Sequence, residues 1–259
     1  MSDLKVLIIQ PDVIWKDIKG NLEKYSEMIR DREEDPHLIL FPEMFQTGLC
    51  PDPDDVAETM DGPTVRWMKR TAESLKCALA GSMIIKEGRR FFNRLVYIDA
   101  HENLTWYDKR HLFTIDGEEK AYTPGKRRLV VPVNDWMIYF QICYDLRFPV
   151  WARNRNDYDI LVNLANWPAK RDDIWATLLR ARAIENQAYV IGVNRTGTDF
   201  NQIDYLGNSM AVDPYGLVIK RSKDSREGIV PVTLSRESLD KYRDDFPVWQ
   251  DADDFSITI

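Results

Sequence analysis

The sequence has few cysteines and no cluster of basic residues. Its three cysteines, Cys50, Cys77 and Cys143, form no CxxC pair, so a disulfide framework is not expected and a reducing compartment fits better. Lys and Arg number 35 against 42 Asp and Glu, which gives a formal net charge of −7. Because neutralising phosphates requires clustered basic residues, this balance argues against a nucleic-acid-binding face.

Long apolar runs and metal-ligand pairs are also missing. The apolar runs fall well short of the roughly 18 residues that a membrane span requires. Residues 1–5 lead directly into an apolar run without the layout of a signal peptide. The histidines and cysteines are scattered without short-range ligand pairs. These patterns predict a cytoplasmic protein with no metal, no cofactor and no membrane partner.

No repeat, low-complexity tract or Gly/Ser linker divides residues 1–259, so we expect a single domain. Short apolar runs recur that suit strands buried on both faces. These predicted strands cover residues 6–9, 38–41, 78–85, 136–142, 160–164 and 189–193. Helical patterns lie between several of them, at residues 22–29, 65–75 and 174–188. The alternation predicts a layered α/β fold.

The pattern changes in the last quarter of the chain. Residues 207–212, 217–220 and 228–234 read as strands joined by turns, which predicts antiparallel pairing at a late edge. Residues 242–259 are aromatic and acidic without a clear period. We interpret them as an extended tail of the kind that packs on a neighbouring subunit.

Polar side chains follow three of the predicted strands. Glu43 comes after residues 38–41, Cys143 after residues 136–142, and Lys109 after a weaker strand pattern. Ligand sites of α/β sheets form outside the carboxyl ends of strands. Taken singly, however, such a cysteine is usually a small core residue, such a glutamate a cap and such a lysine a surface charge. Their spacing alone does not bring the three together.

Three segments in a fixed order carry more information. Residues 40–45 read LFPEMF, residues 107–113 read YDKRHLF and residues 142–149 read ICYDLRFP. They resemble the glutamate, lysine and cysteine motifs of the nitrilase superfamily of carbon–nitrogen hydrolases, and the resemblance continues through residues 163–168 and 180–187. It implies an α/β fold of the nitrilase type: a four-layer α-β-β-α sandwich that forms an eight-layered homodimer.

The resemblance also implies roles for the matching residues. Cys143 would attack an amide carbonyl and form a thioester, and Glu43 would act as the general base. Lys109 would stabilise the oxyanion together with the backbone N–H of Tyr144. The chemistry is consistent, because an amide is a poor electrophile. Its cleavage requires an activated thiol, a donor aimed at developing negative charge and an acid for the leaving amine.

Family members carry a second glutamate a fixed distance before a Pro-Gly pair. Residues 117–125 read GEEKAYTPG and offer two candidates. Counting back six residues from Pro124 favours Glu118, which would hold Lys109 and orient the substrate or water; Glu119 is the alternative. Glycoside hydrolysis is not supported, because it requires two separated carboxyl groups that face one bond.

Two further segments indicate which branch of the superfamily the chain resembles. Residues 147–154 read RFPVWARN and residues 166–169 read NWPA, and both resemble the ω-amidases. That branch hydrolyses the terminal amide of small 2-oxo acids such as 2-oxoglutaramate and 2-oxosuccinamate to the dicarboxylate and ammonia. The substrate would be a small molecule whose far end is a carboxylate, so the pocket needs a cation or several N–H donors.

Arg147 and Arg171 are the candidates for binding that carboxylate. Arg147 equally suits an ion pair with Asp145 or Glu185, whereas the free N–H groups of the helix start after Arg171 would also favour an anion. Trp167 and Phe113 are candidates for pocket walls, although core packing is an equally good explanation for aromatic residues.

Several alternatives stay open. Tyr139 and Gln141 stand where the family more often has smaller or apolar residues; they either reshape the back of the pocket or bond within the sheet. A nitrilase, or another hydrolase of small amides, would use the same residues. A redox thiol protein would need a resolving cysteine, and an inert scaffold member would typically have lost one of the three motif residues. All three are present, which favours an active amidase.

Overall fold

The computed structural model describes residues 2–222 and 225–258, which form fourteen strands and six α-helices. The strands are β1 Leu4–Gln10, β2 Leu38–Leu40, β3 Ala78–Glu87, β4 Arg90–Ile98, β5 Leu104–Asp108, β6 Leu129–Val133, β7 Trp136–Ile142, β8 Ile160–Ala165, β9 Tyr189–Asn194, β10 Thr196–Thr198, β11 Asp204–Leu206, β12 Met210–Val212, β13 Val218–Arg221 and β14 Gly228–Leu234. The helices are α1 Ile18–Arg30, α2 Pro63–Leu75, α3 Glu118–Ala121, α4 Pro149–Ala152, α5 Asp172–Asn186 and α6 Arg236–Asp245.

The strands build two six-stranded sheets. The first has the order β14-β1-β2-β3-β4-β5 and the second the order β13-β12-β9-β8-β7-β6, while β10 and β11 form a hairpin of their own. Each sheet has three parallel strands at its centre, β1 to β3 in the first and β7 to β9 in the second. Antiparallel strands flank each central trio.

The apolar runs exist because both faces of each sheet are covered. Successive side chains of a strand point to opposite faces. On β1, Val6 and Ile8 belong to the core between the sheets, whereas Leu7 and Ile9 pack in a cluster with α1 and α2. On the outer face of the second sheet, α5 contributes buried apolar side chains. Helices, two sheets and helices therefore stack in four layers, which confirms the predicted sandwich.

All six predicted central strands and all three predicted helices are present. The late strands behave differently from one another. β12 and β13 pair antiparallel, as predicted, but β14 crosses to the first sheet and pairs with β1. The reason is that β1 presents an unpaired edge on which the apolar face of β14 becomes buried through Val230, Val232 and Leu234.

The prediction of an extended tail is wrong for its first part. Residues 242–245 complete α6, and Val248–Asp251 form one 3-10 turn. Beyond that turn the chain contacts its own sandwich: the Arg155 guanidinium lies 4.4 Å from the Phe255 ring, and Ile257 packs against the core. Ile259 lies outside the described residues. None of the described helices is long and apolar enough to cross a bilayer.

Candidate active site

A cavity of about 310 Å³ opens where loops of both sheets meet. Its wall contains all nine residues that the sequence singled out. These are Glu43, Lys109, Phe113, Glu118, Cys143, Tyr144, Arg147, Trp167 and Arg171. The sandwich thus brings together residues that lie up to 128 positions apart in the chain, and the cavity is the candidate active site.

Glu43 is fully buried just after β2. One carboxylate oxygen, Oε1, accepts hydrogen bonds from Lys109 Nζ at 2.8 Å and from Asn93 Nδ2 at 2.8 Å. The other, Oε2, accepts from the backbone N–H of Asn166 at 2.9 Å. Three donors therefore fix the orientation of this carboxylate, and they offset the cost of burying its charge.

Lys109 leaves β5 and is buried between two carboxylates. Its Nζ lies 2.8 Å from Glu43 Oε1, and 3.1 and 2.8 Å from the two oxygens of Glu118. Burial alone lowers the pKa of an ammonium group, but here the negative charges of Glu118 and Glu43 outweigh burial and raise the pKa of Lys109 well above its ordinary value. Lys109 is therefore a permanent positive charge in this site.

Of the two adjacent glutamates, only Glu118 reaches Lys109. Its Oε2 also accepts the backbone N–H of Phe113 at 2.6 Å, so the carboxylate is held from two sides. Glu119 is exposed, and within residues 2–222 and 225–258 its side chain makes neither an ion pair nor a hydrogen bond. The first turn of α3 separates the pair, because consecutive helical residues do not face the same way.

Cys143 stands where β7 turns sharply into a 3-10 turn, Cys143–Arg147, and its φ of 42° lies in the left-handed region. A non-glycine residue in that region stores backbone strain that its surroundings must hold. The buried carboxylate of Asp145 does so: it accepts the N–H of Ile142 at 3.0 Å and the hydroxyl of Tyr107 at 2.6 Å. The thiol is thereby presented to the cavity.

The thiol of Cys143 is protonated in the resting site. Burial raises its pKa well above the ordinary value, and the neighbouring charge of Glu43 raises it further. Lys109 lowers the pKa of Cys143, but its contribution does not reverse the other two. Attack by sulfur on a carbonyl carbon therefore requires that a base take the thiol proton as the bond forms.

The structure decides between the alternatives for Arg147. Glu185 pairs with Arg182 at 2.9 Å, and Asp145 is occupied by other donors. The Arg147 guanidinium instead lies 5.2 Å from the Trp167 ring centre, on the cavity wall. Of the part of the chain that the structure describes, no carboxylate pairs with it.

Arg171 has the same kind of surroundings. Its guanidinium lies 5.3 Å from the Phe113 ring centre, and its carbonyl oxygen accepts the indole N–H of Trp167 at 2.8 Å. Among the described residues it, too, has no carboxylate partner. Each guanidinium is supported by an aromatic face, which leaves its N–H groups available to an anion.

Residues 5–244 match the family model of carbon-nitrogen hydrolases, which spans the cavity and both sheets. The chain belongs to this family. Its membership confirms the nitrilase-superfamily resemblance of the three motifs, and Cys143 lies in the region where such a hydrolase has its active site.

Relatives of this carbon–nitrogen hydrolase extend over the whole chain. The omega-amidase YafV of Escherichia coli K12 is 38% identical over 260 residues, which cover 99% of this chain and 100% of that protein. The 2-oxoglutaramate amidase of Bacillus subtilis is 28% identical over 248 residues, with 94% and 95% covered. The crystal structure of XC1258 from Xanthomonas campestris, a superfamily protein with an arsenic adduct in its active site, superposes with a TM-score of 0.97 at 39% identity, covering 100% of both chains.

Sequence reasoning missed several residues of this hydrolase site. Asn93 on β4 contacts Glu43 but belongs to none of the three motifs. Asn166 lies in the segment of residues 163–168, but its contacts with Glu43 were not predicted. Residues 199–205 add a loop to the cavity wall, where the Asp199 carboxylate accepts two backbone N–H groups and the Tyr205 hydroxyl. No local pattern marks a loop that closes a cavity from the far side.

Tyr139 and Gln141 lie beneath the turn that carries Cys143. The Tyr139 hydroxyl donates to the carbonyl oxygen of Trp151 at 2.9 Å, and the Gln141 amide contacts the Tyr139 hydroxyl at 3.3 Å. Both side chains are fully buried. Neither side chain lines the cavity, so they do not reshape the pocket.

Proposed function

We propose that this hydrolase is an ω-amidase that cleaves the terminal amide of a small 2-oxo acid such as 2-oxoglutaramate or 2-oxosuccinamate. The observation that carries the proposal is the pair of guanidinium groups, Arg147 and Arg171, in the same cavity as Cys143. A substrate with an amide at one end and a carboxylate at the other matches this arrangement. The E. coli and B. subtilis relatives support the same substrate class.

In the first half of the reaction, Cys143 Sγ attacks the amide carbon while Glu43 takes the thiol proton. The resulting tetrahedral intermediate collapses as Glu43 passes that proton to the amide nitrogen. The C–N bond breaks, ammonia leaves, and the acyl group remains on Cys143 as a thioester. Water then attacks the thioester, Glu43 accepts a proton from it, and the C–S bond breaks. The dicarboxylate leaves and the thiol regains its proton.

Lys109 stabilises the negative oxygen of both tetrahedral intermediates. Three carboxylate oxygens already contact its Nζ, so its contribution is chiefly charge, and the backbone N–H of Tyr144 supplies a directed donor. Glu118 holds the ammonium in place through both of its carboxylate oxygens. Because the site is buried, a fixed charge there acts more strongly than in water.

The test compares ammonia release from 2-oxoglutaramate, 2-oxosuccinamate, glutamine, asparagine, simple nitriles and a neutral amide of the same length. We expect the oxo acids to be turned over best. Arg147→Ala and Arg171→Ala should each raise KM for the oxo acids about tenfold while leaving KM for the neutral amide nearly unchanged, because only the oxo acid loses an ion pair.

Equal changes in KM for both substrates would contradict the proposed anion site. Preference for a nitrile would instead identify a nitrilase, and absence of turnover with every compound would identify an inert member of the family. Cys143→Ala serves as the blank for ammonia that arises without the enzyme.

We also propose that the protein is a homodimer. An exposed apolar face is formed by α5, the turn between β12 and β13, and the end of α6. A hydrogen bond from Arg180 Nε to the Gly216 carbonyl, at 2.8 Å, connects α5 to this turn. The rings of Tyr215 and Tyr242, 4.0 Å apart, connect the turn to α6. The exposed apolar members of this face are Ile184, Tyr215, Leu217 and Phe246. Such a face fits a second copy of the chain. Sedimentation should give twice the 30.3 kDa chain mass, and a monomer would contradict the dimer.

We further infer that the chain acts as one catalytic domain in the cytoplasm. Glu43 and Lys109 come from the first sheet and Cys143 from the second, so the two sheets have no separate function. The three cysteines are free thiols, which suits a reducing compartment. A single unfolding transition and recovery in the cytoplasmic fraction are expected; two transitions, or recovery elsewhere, would contradict these inferences.

A further inference from the structure

We propose that Asn93 is a positioning residue that keeps Glu43 competent as a base, and that Ser82 fixes the orientation of its amide. The inference rests on the proposed role of Glu43 and adds two residues to the machinery of the same site. Both are fully buried, Asn93 on β4 and Ser82 on β3.

The Asn93 amide bridges the two glutamates. Its Nδ2 donates to Glu43 Oε1 at 2.8 Å and lies 3.2 Å from Glu118 Oε1. Lys109 Nζ reaches the same two oxygens at 2.8 and 3.1 Å. Each of these oxygens therefore has one charged and one neutral donor, and the two carboxylates are linked twice.

Hydrogen-bond chemistry determines which way the Asn93 amide points. The backbone N–H of Met44 donates to Ser82 Oγ at 2.9 Å. Since that N–H is only a donor, Ser82 uses an acceptor lone pair for it and has its single hydrogen free for Asn93 Oδ1, 2.8 Å away. The amide oxygen thus faces Ser82 and the NH₂ group faces the carboxylates, which are acceptors only.

The neutral Asn93 amide stabilises two carboxylates that lie close together. Two carboxylates share one ammonium, and their negative charges repel each other. A second cation would relieve the repulsion, but it would also compete with Lys109 for the carboxylates. The amide stabilises both negative charges without changing the charge of the site. Removing it should therefore leave both negative charges less well stabilised.

The experiment measures two quantities for the wild type, Asn93→Ala and Ser82→Ala. The first is the pH profile of kcat/KM for the amide that the wild type turns over best. The second is the pH profile of the rate at which iodoacetamide alkylates Cys143, followed by peptide mass spectrometry so that the cavity residue Cys50 is counted separately. Alkylation reports removal of the thiol proton and needs no substrate.

Asn93→Ala should lower kcat/KM about 100-fold, mostly through kcat, and move its acid limb up by about one pH unit. Ser82→Ala should act in the same direction by about tenfold, because the amide loses its orientation but keeps its donors. The double variant should lose no more than Asn93→Ala alone, since both residues act through one hydrogen bond.

The matched control is Asn21→Ala. Asn21 is an equally buried amide, bonded to Ile14 and to the carbonyl of Gln46, away from the cavity. It should cost stability without moving either pH profile. Unchanged acid limbs in both Asn93→Ala and Ser82→Ala would overturn the proposal; if Asn93→Ala does not fold, Ser82→Ala alone decides it. Failure of the oxo-acid proposal would leave the alkylation result untouched, so the two are distinguishable.

Discussion

Two buried clusters of ionised side chains in this protein have opposite charge balance. In the active site, Glu43 and Glu118 surround one ammonium, that of Lys109. At the opposite end of the second sheet, just before β8, one carboxylate lies between two guanidinium groups. The Asp159 oxygens contact Arg236 at 3.0 Å and Arg243 at 2.8 Å. Both clusters are well paired, yet only the first belongs to a site.

The difference lies in what each cluster faces. Asp159 also accepts the backbone N–H of Met137 at 3.0 Å, and the Arg236 guanidinium lies 3.9 Å from the Trp136 ring centre. These contacts dock α6 on the sandwich, and among the described residues none of the cluster lines the cavity that holds Cys143. Burial and ion pairing alone therefore do not indicate a catalytic site. The role proposed for the first cluster rests on its position beside the Cys143 thiol.

The largest effect should come from the nucleophile. Cys143→Ala is expected to lower ammonia release by about 10⁴-fold or more, because it removes the sulfur that forms the thioester. Its melting temperature should stay close to that of the wild type, since the thiol faces the cavity and its removal opens no void in the core. A brief incubation with substrate should give the wild type an acyl adduct on Cys143. An adduct on Cys50 or Cys77 instead would rule out this assignment.

Substitution in the cluster of Asp159, Arg236 and Arg243 should lower stability and leave the reaction rate unchanged. Asp159→Asn leaves Arg243 without its carboxylate partner and, among the described residues, Arg236 with only Asp240, 3.6 Å away. The variant should lower the free energy of unfolding by about 3 kcal/mol at pH 7. The rate per folded molecule should not change. Denaturant titration and activity measured on the same samples test both statements. A loss of activity without a loss of stability would contradict the purely structural role of the Asp159 cluster.

The pH dependence of that stability has a definite sign. Burial alone raises the pKa of Asp159, but Arg236, the Met137 N–H and Arg243 outweigh it and hold the pKa below the ordinary value of 3.8. A carboxyl group whose folded pKa is depressed stabilises the fold above its unfolded pKa. That stabilisation is lost as the pH falls through the lower folded pKa. The difference in the free energy of unfolding between the wild type and Asp159→Asn should be full above about pH 5 and should shrink as the pH falls below about 4.

The smallest effects separate the two adjacent glutamates. Glu118→Gln keeps the size of the side chain but removes a negative charge beside Lys109, and it should lower kcat/KM about 100-fold. Glu119→Gln should stay within about twofold, because its side chain is exposed. Parallel kinetics on both variants check the prediction. Equal values of kcat/KM in the two variants would contradict the role proposed for Glu118 at Lys109.

The sequence predicted the layers of the fold better than the connections at its edge. Central strands buried on both faces leave continuous apolar runs that are readable locally. The partner of β14 is not readable, because β1 lies more than 200 residues earlier and either sheet offers an antiparallel edge. The helical start of the tail was hidden because α6 carries few apolar residues.

For the active site, the sequence by itself determined the chemical groups: a thiol, a carboxylate and an ammonium, each in a recognisable motif at a strand end. The tertiary structure decided which groups touch. It placed Glu118 and not Glu119 on Lys109 and brought Asn93 to Glu43. Among the residues that the structure describes, it left Arg147 against Trp167 and without a carboxylate partner. The reason is physical: periodic burial is written in neighbouring residues, whereas a contact between distant residues depends on how two sheets pack together.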